Sequence, residues 1–120
     1  MTGRDGIDVD VWVRGTPEAR TLPIAGVPAS AAGWTDGDVR TLLTQMVMTL
    51  ERAKNPGSEA PVVALRGFSW IVSAGEGGVL LHLDMHMGTA SAGPFAIAEP
   101  RLTEMIGRVI AAPKESERVH

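Results

Sequence analysis

The chain contains no cysteine, so disulfides, thiolate nucleophiles and cysteine-based zinc sites are excluded. Lysine is nearly absent too. Lys54 and Lys114 are the only two, and the rest of the positive charge is arginine scattered along the chain. Nothing forms the basic stripe that neutralises phosphates, and the formal net charge is −3, so no nucleic-acid partner is expected. No run approaches the ~18 consecutive apolar residues of a membrane span, so no membrane partner is expected either. The first six residues hold an acid and two glycines where a signal peptide needs an apolar stretch. A cytoplasmic location is the expectation.

What is present suits a small globular protein. A length of 120 residues, with 44% hydrophobic and 21% charged residues, fits one domain spanning 1–120 with a single core. Such a domain buries roughly two-thirds of the surface its unfolded chain exposes. Residues 1–6 and 114–120 read as mobile ends. The bias toward arginine, alanine, glycine and proline is of the kind found in GC-rich bacterial genomes.

Hydrophobic periodicity organises the chain. Ile7, Val9, Val11 and Val13 alternate with Asp8, Asp10, Trp12 and Arg14, the period-two pattern of a half-buried strand. A short second strand is expected around residues 20–24, held to a sheet edge by Pro23. Residues 26–33 read as a surface connection. Thr35 is placed to cap a helix, with Asp38 as the capping-box acid and Trp34 and Val39 as a hydrophobic staple. Val39, Leu42, Leu43, Met46, Val47 and Leu50 follow at helical spacing, and Asn55-Pro56-Gly57 should end the helix near Lys54.

Residues 61–73 read as a strand. Val63 and Leu65 share one phase and Phe68, Trp70 and Val72 the other, so a bulge is expected near Arg66-Gly67. A turn at residues 75–78 leads to a strand over 79–87. Residues 88–93 read as a small-residue loop, and 94–98 as a short last strand. A second helix is expected from Pro100, with Leu102, Met105, Ile106, Val109 and Ile110 as its apolar stripe and Pro113 as its stop. The order β-β-α-β-β-(β)-α, with tight turns between paired strands, predicts an α+β two-layer sandwich. Its sheet is mainly antiparallel, of 4–5 strands, with two helices on one face.

Two groups of residues carry functional expectations. Strand alternation puts His82, Asp84 and His86 on one face, and imidazole and carboxylate are suitable ligands for zinc, iron or manganese. Residues two apart on a strand lie about 6.6 Å apart and can share an ion, whereas residues four apart lie about 13 Å apart and cannot. Asp8 and Asp10 would complete a site if the first strand runs alongside. The same residues also read as the solvated face of a half-covered sheet. No other cofactor is expected. The glycine-rich stretch 73–78 leads into a strand rather than a helix, so it reads as a hairpin turn and not a phosphate loop. Ser91 lacks the surroundings of a nucleophile elbow.

The second group is Trp12, Phe68 and Trp70. Trp12 falls on the strand face opposite the valines, where no helix is expected to cover it. These aromatics are candidate binding residues for a protein partner or a second copy of the chain. The favoured expectation is therefore a non-enzymatic bacterial interaction or self-association module, most simply a homodimer. The alternative is a small metal-dependent or acid–base enzyme built on His82, Asp84 and His86.

Overall fold

A computed structural model of the chain describes residues 7–28, 30–55 and 68–111. The expectations for residues 1–6, for Val63, Leu65 and the bulge near Arg66-Gly67, and for Pro113 and the C-terminal end lie outside the described residues. Among the described residues, five strands and two α-helices run in order: β1 (Ile7–Val13), β2 (Ala19–Ile24), α1 (Asp36–Lys54), β3 (Ser69–Gly75), β4 (Gly78–Met85), β5 (Gly88–Phe95) and α2 (Glu99–Ala111). A single turn of 3-10 helix at Ala31–Gly33 precedes α1. The strands make one sheet in the order β2-β1-β5-β4-β3, and every pairing is antiparallel. No helix among the described residues is long and apolar enough to cross a membrane.

Both helices pack on the same sheet face, where α1 contacts β1, β5 and β2, and α2 contacts α1 and β3. The strand residues beneath them are the in-phase apolar set. Val9, Val11, Leu81, Leu83, Ala90 and Ala92 join Leu43, Val47, Ile106 and Val109 in one buried cluster. Expected and observed cores coincide here because the alternation in β1 and β4 leaves only one apolar face to cover.

Helix α1 begins as its sequence dictates. The Thr35 hydroxyl accepts a hydrogen bond from the Asp38 amide, and the Asp38 carboxylate accepts one from the Thr35 amide, which completes a capping box. Trp34 and Val39 are both fully buried. The Trp34 indole N–H donates to the Pro28 carbonyl at 2.8 Å, and its ring meets Phe95 edge to face at a centroid distance of 4.8 Å. The expected surface connection is thus part of the core at two points, because Val27 and Ala31 are buried. Arg101 of α2 secures the same segment by donating to the carbonyls of Ala32 and Trp34.

The largest departure from the sequence reading is β5. Residues 88–93 are not a loop but most of a strand, and that strand is the central one of the sheet. Its composition is poor in β-branched and aromatic residues, which hides it from propensity. Small side chains suit the position. Ala90 and Ala92 lie under α1, and a larger residue there would hold the helix off the sheet. Gly88 has a φ of +151°, and a Cβ at this position would run into the Trp12 carbonyl oxygen of β1.

At the far end of β5, Leu81 pairs with Ala92 and Val79 with Phe95, so Gly93 and Pro94 together oppose Leu80. This is a β-bulge, and it accommodates a proline, which has no N–H to give to the ladder. The neighbouring strand boundary shifts as well. Strand β4 ends at Met85 rather than Met87, and His86 and Met87 form the turn into β5.

Candidate functional site

With both helices on one side, the other side of the sheet is uncovered by any described element. Strand registers fix which residues share it. One row across the five strands reads Thr21, Asp10, Ser91, His82, Ile71, and the next reads Ala19, Trp12, Thr89, Asp84, Ser69. Of the residues singled out above, the two rows carry Asp10, Trp12, His82 and Asp84.

The first row is hydrogen-bonded in pairs. Thr21 Oγ1 donates to Asp10 Oδ1 at 2.6 Å, and Ser91 Oγ lies 2.8 Å from Nδ1 of the half-buried His82. A hydroxyl against an imidazole has the composition of a nucleophile–base pair. A triad also needs a carboxylate behind the imidazole to orient it. Here the order is Asp10–Ser91–His82, so the carboxylate stands beside the serine, and the residue across from the far side of His82 is Ile71.

The proposed metal ligands are not gathered. His82 and Asp84 share the open face, but His86 lies in the turn after β4. Asp84 faces Arg14, whose Nη2 lies 3.8 Å from Oδ1. Strand β5 separates β1 from β4, so Asp8 and Asp10 stand two strand spacings, about 10 Å, from the β4 ladder. Among the described residues no group of three histidines, cysteines or acids is arranged to hold a metal ion.

The three aromatic candidates separate between the faces. Trp12 is on the open face, as its phase in β1 requires, but it is half-buried and has partners within the chain. Its indole N–H donates to the Thr16 carbonyl at 2.9 Å, and the Arg14 guanidinium lies 5.5 Å from the ring centroid. Arg14 is held in turn by the carbonyls of His86 and Met85. Trp70 pairs with Leu83 and therefore lies on the helix face, where it and Phe68 pack half-buried against the core.

Among the described residues, the large exposed apolar side chains are Ile71 and Leu80, which the sequence does not single out. Ile71 of β3 is 60% exposed and Leu80 of β4 is 44% exposed. They are diagonal neighbours on the open face, since Ile71 pairs with His82 and Leu80 with Ser73. The available signal is the phase of Ile71, which is opposite to that of Trp70 and Val72. An aliphatic residue in that phase marks apolar surface on the uncovered side.

Compared with known proteins, the chain matches no family model, no curated protein and no solved structure.

Proposed function

We propose that the chain is a non-enzymatic self-association module, and that a second copy covers the β3 end of its sheet. The observation that carries this reading is the exposed pair Ile71 and Leu80, adjacent on a sheet face with no described covering layer. An apolar contact of this kind on a soluble domain is stabilised when a partner removes it from water. A twofold partner presents the same patch in return, and closed twofold dimers are the commonest assembly. Trp12 contributes less to the contact than Ile71, because its ring is already enclosed by Arg14 and the Thr16 turn. The enzymatic alternative draws support only from the Ser91–His82 contact. Light scattering on the purified protein at micromolar concentration tests the proposal. The expected mass is about twice that of the 12.7 kDa chain, and a monomer overturns the reading.

A further inference from the structure

Resting on that reading, we infer that the two copies join edge to edge through β3, continuing one antiparallel sheet across the twofold axis. The two ends of the sheet differ in a way that points to this edge. Strand β2 carries Pro23 and Arg20, the residue types that discourage further strand pairing. Strand β3 reads Ser-Trp-Ile-Val-Ser-Ala-Gly, without charge or proline and rich in strand-forming side chains at its centre. Among the described residues, nothing pairs with its outer edge. An edge of this composition is a template for another strand.

Burial separates an edge contact from a face contact. Trp70 and Val72 lie on the helix face and Ile71 on the open face, yet all three remain partly or largely exposed. A partner laid on the open face would reach only Ile71 and its neighbour Leu80. A strand added beside β3 covers the outer flanks of all three, because its own side chains alternate between the same two faces.

The side chains also select a register. With Ile71 opposite its own copy, Trp70 lies opposite Val72 of the second chain, and the twofold generates the same pair again. Aromatic side chains opposite β-branched ones are among the favourable cross-strand pairs. The two isoleucines then meet on the open face, flanked by the two Leu80 side chains. Ser69 falls opposite Ser73 of the second chain and about 13 Å from its own copy, at 3.3 Å per residue.

The absence of cysteine makes this register directly testable. Ser69→Cys and Ser73→Cys each introduce a single thiol at an exposed position on the open face. Each variant is first confirmed to be folded by circular dichroism, then oxidised alone and after mixing and subunit exchange. The expected result is a disulfide-linked dimer in the mixture and none from either variant alone. If the wild-type protein is dimeric but the mixture gives no cross-link, or Ser69→Cys links to itself, the edge pairing is wrong and self-association stands. If the wild-type protein is monomeric, both fall together.

Discussion

Asp36 serves two purposes at the start of α1. It places negative charge in the first turn, where the helix dipole favours it, and it receives a two-point contact from Arg108 of α2 at 2.9 and 3.0 Å. The hydrogen bonds from Arg108 hold the Asp36 carboxyl below the usual carboxylate range. A folded pKa below the unfolded one means that the bridge adds stability above the ordinary carboxylate pKa of about 3.9, and that this contribution is lost as pH falls through the folded value. Arg108→Gln should therefore lower the urea midpoint at neutral pH, and the two proteins should converge in acid once Asp36 is protonated in both. A difference that persists undiminished in acid would show that Arg108 acts by packing alone. Both groups are about half exposed, so the effect at neutral pH should be small and should shrink further in salt.

The elements differ in how plainly their sequences announce them. Helix α1 combines a cap, a capping-box acid and an apolar stripe, three local signals that agree. Thr35→Ala should cost ~1 kcal/mol with the fold intact, read as a lower denaturant midpoint at an unchanged slope. An unmoved midpoint would mean that the capping box contributes nothing. Strand β5 gives the opposite case. Alanine, serine and glycine are weak strand formers, and what makes residues 88–95 a strand is the slot between β1 and β4 under a closely packed helix. That constraint is tertiary and cannot be read from local composition. It is nonetheless testable at Ala90, which is fully buried. Ala90→Leu should destabilise by about 1–3 kcal/mol through overpacking, whereas a residue in a true surface loop would accept leucine at little cost. The turn after β4 was hidden for a related reason. The alternation of Leu81, Leu83, Met85 and Met87 runs on past Met85, where the chain turns, so His86 reads as a third residue of the polar face when it belongs to the turn.

For the molecule as a whole, the two-layer arrangement followed from alternation and element order, because two helices with single apolar stripes can cover one side of such a sheet. The candidate site was legible in part. The phase of β1 put Trp12 on the open side, as found, but gave no hint that Arg14 and the Thr16 carbonyl would enclose it. Strand order was not legible, and it decides the rest. With β5 inserted between β1 and β4, the acids of β1 are removed from His82 and Asp84, and β3 becomes an edge. That placement leaves Ile71 exposed, and in the proposed dimer a second copy covers it. Ile71→Lys tests that contact most directly, because the side chain is 60% exposed and its replacement leaves the buried core intact. Light scattering across a micromolar dilution series should give a dimer for the wild-type protein and for Trp12→Glu, and a folded monomer for Ile71→Lys. An Ile71→Lys protein that stays dimeric over the same concentrations would show that Ile71 is not at the interface.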